Sequence, residues 1–256
     1  MFEDPARIWD LWARYYDEDT KGQDPHAAAS ALADLAAGEA LELGVGTGRI
    51  ALEIARRGTP VTGLDASSEM LRLLDERRGR LPVEGVLGDM ADFDLGGRRF
   101  SLVYVVASSF FLLATQAAQV SCLRSAASHL LPGAHLVIEA AVPHASRMAD
   151  RGDQMIIREM SETHLKFSAF VHDPVTQTVR AQEVRIDADT GRARMLPNLM
   201  RYAYPPEIDL MAQLAGLDLV RRVADWQGSP LNARSTHHVS VYTRGPVPPT
   251  TEPEHA

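Results

Sequence analysis

Cysteine is nearly absent: the 256 residues contain one, Cys122. An intramolecular disulfide is therefore excluded, and a reducing, cytoplasmic setting is expected. No run of about 20 apolar residues exists, so no membrane span is predicted. The start, Met1-Phe2-Glu3-Asp4-Pro5, lacks the basic and apolar parts of a signal peptide. Basic excess is missing too. The formal net charge is -8, and the arginines fall in short pairs such as Arg56-Arg57 and Arg77-Arg78. A nucleic-acid backbone calls for a basic surface, so nucleic acid is not an expected partner. No His/Cys cluster has metal spacing, and Asp150 and Asp153 lack an Asn-containing partner motif, so no metal is predicted. There is no internal repeat.

What is present is an alternation of short apolar runs and helical patterns. Residues 5 to about 20 read as an amphipathic helix carrying Ile8, Trp9, Leu11, Trp12, Tyr15 and Tyr16. A second helix spans Pro25 to Ala37 and ends at Gly38. Strands are predicted at Ala40–Leu43, Pro60–Asp65, Val83–Leu87, Phe100–Val106 and His135–Ala140. Helices are predicted at Thr47–Arg57, from a Ser67 cap, and at Gln116–Leu130. The fourth strand is almost wholly apolar, as a parallel strand covered on both faces should be. This rhythm predicts an α/β, Rossmann-like open sheet, mostly parallel, with helices on both faces.

The pattern changes after Pro143. Between about 153 and 204, alternation and turn residues such as His172-Asp173-Pro174 predict antiparallel strands. Pro205-Pro206 opens a helix through Ala215, and strands at Leu217–Trp226 and Val239–Arg244 finish the sheet, the last one antiparallel. The expected organisation is 1–37, helices capping a cofactor site; 38–142, the cofactor-binding core; 143–205, an antiparallel lid; 206–244, the rest of the core; and 245–256, a disordered tail.

The segment that carries chemistry is Leu41-Glu42-Leu43-Gly44-Val45-Gly46-Thr47-Gly48. Alternate glycines let the backbone turn tightly and approach a ligand without Cβ atoms in the way. Asp65 ends the next strand, where a carboxylate can accept from both hydroxyls of a ribose. A dinucleotide turn would carry its third glycine at position 49, which is Arg49 here. Glu42 is awkward beside a pyrophosphate and useful beside the ammonium of an amino acid.

Together, Glu42, the three glycines, Asp65 and Gly88-Asp89-Met90 resemble the motifs of class I S-adenosylmethionine (SAM)-dependent methyltransferases. The resemblance covers about residues 38 to 140. It implies that Glu42, Gly44 and Gly46, with Thr47 and Gly48, form the methionine end, and that Asp65 holds the ribose. It places Ala66 and Met70 beside the adenosine and gives Asp89 and Met90 the adenine. It sets Val106, Ala107, Ser108 and Ser109 under the sulfonium, and it lets Tyr16-Asp17 close over the cofactor. The product would be S-adenosylhomocysteine. A narrower likeness, through Phe110-Phe111-Leu112-Leu113-Ala114 and Ala233-Arg234-Ser235-Thr236-His237-His238, is to actinobacterial natural-product methyltransferases, including linaridin peptide and amino-sugar N-methyltransferases.

The implied reaction is a direct displacement without metal, to N or O of a small molecule or peptide, aided by alignment and a base. His144 after the fifth strand, and Tyr16, are the catalytic candidates. Tyr15, Ser109, Phe110, His144 and His164 are the acceptor-binding candidates. A surface role for His144, a packing role for Tyr15 and Tyr16 and a turn role for His172 stand beside these. Ala107-Ser108-Ser109-Phe110 replaces the Asn/Asp-Pro-Pro-Tyr/Phe tetrapeptide of amide and adenine methyltransferases, against such substrates. An RNA or protein methyltransferase and a non-catalytic SAM-fold scaffold are the alternatives, and a homodimer is left open.

Overall fold

The computed structural model describes residues 4–143, 154–187 and 189–244. His144, Asp150, Asp153, residue 188 and the tail 245–256 lie outside them. In chain order the elements are α1 (Pro5–Thr20), α2 (His26–Leu35), β1 (Ala40–Leu43), α3 (Ala51–Arg56), β2 (Val61–Asp65), α4 (Ser68–Arg78), β3 (Val83–Leu87) and β4 (Phe100–Val105). A 3-10 turn, Ser109–Leu112, leads to α5 (Gln116–Ser128) and β5 (Leu130–Ala141). Then come β6 (Gln154–Met160), β7 (His164–Asp173), β8 (Thr178–Asp187), β9 (Ala193–Arg201), α6 (Pro205–Leu214), β10 (Leu217–Val223) and β11 (His237–Arg244).

Seven strands form one sheet in the order β10-β11-β5-β4-β1-β2-β3. β1 pairs in parallel with β2 and β4, whereas β11 runs antiparallel to both β5 and β10. From β1 the chain builds outward to β3, then returns to β4 on the other side. That reversal opens a crevice beyond the carboxyl ends of β1 and β4, where ligands bind in such sheets.

Burial explains the sheet. All six residues of β4 are buried, so both of its faces are covered. One face packs Leu41, Leu43, Val103 and Ile138 against Phe110, Leu123 and Met211. The other packs Leu102, Tyr104, Val137 and Val241 against Leu32 and Ile54. Helix starts follow local chemistry. Asp4 accepts from the Arg7 N–H at 3.1 Å, Ser67 from Met70 at 3.1 Å, and Thr115 from Ala118 at 3.1 Å.

Several elements begin or end elsewhere than expected: β5 starts at Leu130 rather than His135, β11 at His237 rather than Val239, and two further departures have local causes. The helix predicted from Thr47 starts only at Ala51, because the preceding loop holds Gly44, Gly46 and Gly48 at φ of 73°, 56° and 86°. β10 stops at Val223 rather than Trp226, where Asp225 folds back to accept from the N–H groups of Gln227 and Ser229.

The second sheet is antiparallel, in the order β6-β7-β8-β9. Its β6 was not resolved as a separate strand by alternation: Met155-Ile156-Ile157 has no polar interruption, and Arg158 is skipped in the pairing with β7. Polar side chains fasten this sheet to the rest. At the root of β9, Arg201, 6% exposed, donates to Gln119 at 2.6 Å, Gln177 at 2.8 Å and Glu207 at 2.6 Å. Across the sheet, Lys166 and Arg185 both pair with Asp19 of α1. Trp12 Nε1 donates to the Pro197 carbonyl at 2.9 Å.

Candidate active site

A pocket opens at the carboxyl edge of β1, β2 and β3. Gly44, Gly46, Leu64, Asp65, Ala66, Met70, Asp89 and Met90 line it on the sheet side. Trp9 and Tyr16 close it from α1, and Ser109, Leu112 and Leu113 from the turn after β4. Trp9 and Tyr16 are seven apart, so two helical turns bring them to one face, with their ring centroids 6.4 Å apart and the rings nearly perpendicular.

The glycine turn is sterically committed. A Cβ at Gly44 would lie 3.3 Å from Ser109, and one at Gly46 would meet the Tyr16 ring at 3.7 Å. At Gly48 it would collide with Leu74. Thus Gly44 and Gly46 keep backbone exposed to the pocket, while Gly48 serves helix packing. Thr47 is buried and donates to Asp17 at 2.8 Å, and Asp17 also pairs with Arg77 of α4. That tie pins α1 over the turn.

Asp65 is held by backbone donors. Its Oδ2 accepts from the Gly46 N–H at 2.7 Å and its Oδ1 from the Ser67 N–H at 2.9 Å. Burial raises its pKa, and the two N–H groups oppose that rise. Asp89 accepts from the Ala91 N–H at 2.8 Å, which fixes the turn after β3.

Behind the turn sits a buried polar cluster. Glu42 is 2% exposed, and its Oε2 accepts from the Tyr104 hydroxyl at 2.9 Å. Burial pushes its pKa up to about 8, against the Tyr104 bond and the charge of Arg49. Burial also raises Tyr16, with the Arg49 guanidinium opposing. Tyr16 is therefore a neutral phenol near pH 7, suited to donating a hydrogen bond rather than to accepting a proton.

The end of β4 is bent. Ala107 and Ser108 take left-handed φ of 54° and 60°. Such conformations cost about 1–3 kcal/mol each and persist where the surroundings fix them. Here Glu139 accepts from the Ala107 N–H at 2.7 Å, and the Ser108 hydroxyl accepts from the Ala141 N–H at 2.9 Å. Val106 is buried beneath them.

The other expected acceptor residues separate. Ser109 lies in the pocket, but Phe110 is fully buried in the core, because the 3-10 turn directs it inward. Tyr15 and His164 do share a cavity, yet a different one, on the side of α1 facing the second sheet; there Arg185 stacks over the Tyr15 ring at 4.3 Å. His172, given a turn role from sequence, lies in β7 with Nε2 2.9 Å from the Tyr202 hydroxyl. His144 lies outside the described residues. Pro5, Trp9, Leu64, Leu112 and Leu113 were missed; only the Trp9–Tyr16 spacing carried a signal for any of them.

These features are those of one enzyme family. Residues 40–133 match the model described as a methyltransferase domain. The chain is 38% identical to the CcbJ methyltransferase from Streptomyces caelestis, whose solved structure superposes with a TM-score of 0.88 over 95% of this chain and 100% of that one. The chain belongs to the class I SAM-dependent methyltransferases, and it is an enzyme that uses SAM. It is also 28% identical, over 80% of its length and 82% of the relative's, to the cypemycin N-terminal methyltransferase of a Streptomyces species. A further relative, the dTDP-3-amino-3,6-dideoxy-alpha-D-glucopyranose N,N-dimethyltransferase of Streptomyces fradiae, is 39% identical over 46% of this chain and 48% of its own.

Proposed function

We propose that this enzyme methylates an amine of a natural-product small molecule or peptide, with SAM in the pocket under α1. The observation that carries this reading is Asp65, clamped by Gly46 and Ser67 at the mouth of a turn whose three glycines all hold positive φ. A ribose needs such a fixed carboxylate, and the apolar Leu64, Met70, Met90 and Leu113 suit an adenine slot. The two relatives named for amine acceptors, a peptide N-terminus and an amino sugar, support nitrogen over oxygen.

When bound, SAM supplies an activated methyl on a sulfonium, so the protein's task is alignment and desolvation. Gly44 and Gly46 would hold the methionine end by backbone, with Glu42 behind them. Asp65 would hold the ribose, Ala66 and Met70 the adenosine, and Asp89 and Met90 the adenine. The Ala107-Ser108-Ser109 bend would serve the methyl end. Tyr16, which closes the pocket from α1, would donate a hydrogen bond to the cofactor. The four-stranded sheet is the lid and α1 the cap. An amine must be neutral to attack, and His144, three residues after Ala141 in the sequence, is the proposed base.

The test is a labelled-methyl assay against candidate amines, with S-adenosylhomocysteine binding measured in parallel. His144→Ala should cut turnover at least about tenfold, within the range of general-base catalysis, while leaving cofactor affinity intact. A wild-type rate removes His144 from the reaction. Absence of S-adenosylhomocysteine binding by the wild-type chain would overturn the reading as a whole.

A further inference from the structure

On the side of α1 that faces the second sheet, two adjoining cavities of about 540 and 460 Å³ share Tyr15 and Arg194 in their walls. The larger also holds Lys166, Arg185 and Arg192, and the smaller Arg14. Register explains the crowding of cations. Lys166 pairs with Arg185 and Arg185 with Arg194, so the three stand side by side on one face of β7, β8 and β9. Like charges directly opposite each other destabilise a sheet. Lys166 and Arg185 are answered, since both pair with Asp19 and with Glu183. Arg194 is not: among the described residues no carboxylate pairs with it, nor with Arg192 or Arg14.

The acids around these cavities are engaged elsewhere or stand apart. Asp10 accepts from the Ser67 hydroxyl and the Glu69 N–H, and Asp187 from the N–H and hydroxyl of Thr190. Glu159 lies on β6, at the sheet edge opposite β9, and Glu18 forms no ion pair with Arg14 one turn before it. Tyr15 stands between two of the cations, with Arg185 over its ring at 4.3 Å and Arg14 at 6.0 Å. Arg14 thus reaches the hollow from α1, and Arg192 and Arg194 from the sheet. A carboxylate fills one guanidinium fork. A phosphate, with three acceptor oxygens and a charge of about -1.5 to -2, can take donors from several directions at once.

We propose that Arg14, Arg192 and Arg194 form a binding site for a phosphate or diphosphate group, free or carried at the far end of the acceptor, and separate from the cofactor pocket. An anion there ties α1 to β9, in addition to the Trp12 bond and the Asp19 pairs. Another face of α1 closes the cofactor pocket through Trp9 and Tyr16. Anion and cofactor therefore favour the same docked helix, and each strengthens the binding of the other. The coupling rests on the SAM reading above; the site itself does not. All three arginines are binding residues, not catalytic ones.

The experiment is calorimetric titration of pyrophosphate at fixed ionic strength into wild type, Arg14→Met, Arg194→Met and Arg57→Met, the last an exposed arginine at the end of α3. Wild type should bind, and Arg14→Met and Arg194→Met should each bind at least about tenfold more weakly, the loss of a charged hydrogen bond. Arg57→Met should stay within about twofold, since separated surface charges are screened. Equal loss in all three variants means diffuse attraction and overturns the site. So does unchanged binding by both cavity variants, or a wild type that binds neither pyrophosphate nor aminohexyl phosphate. The source is read with S-adenosylhomocysteine present: a group carried by the acceptor makes aminohexyl phosphate bind more tightly than inorganic phosphate, and a free anion makes the two equal. Saturating pyrophosphate should tighten S-adenosylhomocysteine about fivefold in wild type and not in Arg194→Met. An unchanged affinity in wild type overturns the tie through α1. A chain that binds pyrophosphate but no S-adenosylhomocysteine under any condition overturns the SAM reading instead and leaves the site standing.

Discussion

The two sheets of this molecule are stabilised in different ways. The seven-stranded sheet is covered on both faces by apolar side chains, and its pocket is shaped mainly by backbone: positive-φ glycines, N–H groups on Asp65, the bend at Ala107-Ser108. The four-stranded sheet has few buried residues among those described: Ser168 in β7, Ala181 and Glu183 in β8, and Leu196, Pro197 and Arg201 in β9. It is attached by side-chain polar bonds at Arg201, Asp19 and Trp12. A site fixed by backbone tolerates little change. A sheet fixed by a few polar anchors can differ in position and contents while the core stays constant, which suits one cofactor and many acceptors.

The comparison breaks most sharply at Arg201. Arg201→Met strands Glu207, Gln119 and Gln177 in a part-buried setting and should cost ~3 kcal/mol, near the low end for breaking a buried charged network. Hydrogen exchange should quicken in β7 to β9 before β1 to β5. If all strands lose protection together, the two sheets are one cooperative unit and the contrast is wrong. Asp65→Ala tests the opposite side. It should weaken S-adenosylhomocysteine about 100-fold, the loss of charged bonds to two hydroxyls, with little change in the protection of β7 to β9. Undiminished affinity would remove Asp65 from the ribose.

Glu42 makes the seven-stranded sheet pH-sensitive. Its folded pKa, pushed up to about 8, lies above that of an unfolded carboxylate. Between those values the folded chain holds a proton that the unfolded chain has lost, so this group's contribution is present at low pH and is lost as pH rises through 8. Glu42→Gln should therefore gain on wild type with rising pH, by roughly 2 kcal/mol from pH 6 to pH 9 in urea titrations. A pH-independent difference would show that Glu42 is ionised throughout. The smallest effect is expected at Trp12. Trp12→Phe removes one hydrogen bond to Pro197 and should cost about 1 kcal/mol in stability, with turnover lowered more than cofactor affinity; equal loss in both would place the anchor in the cofactor site.

Legibility followed the same division. β1, β2, β3 and β4, the glycine turn and Asp65 were readable because their chemistry is local: adjacent residues set φ, burial and turn type. The helix after the turn was misplaced by four residues because three left-handed glycines delay it, and alternation alone does not reveal φ. Phe110 read as a ligand-facing residue by its place after β4, but a 3-10 turn rotates it into the core. Tyr104 and Glu139 passed without roles since their partners lie tens of residues away, Glu42 for Tyr104 and Ala107 for Glu139. The second sheet's anchors, 82 residues apart between Gln119 and Arg201 and 166 between Asp19 and Arg185, leave no trace in local pattern.

The reversed strand β11 has a consequence for how the chain is made. It lies between β5 and β10, both of which leave the ribosome earlier, and it supplies a whole ladder to each of them. Until His237 to Arg244 have emerged, β5 shows an open edge and β10 has no place in the sheet. The nascent enzyme must therefore wait with an unpaired, aggregation-prone strand, and a chain stopped even a few residues before His237 should be a substrate for chaperones rather than a smaller methyltransferase.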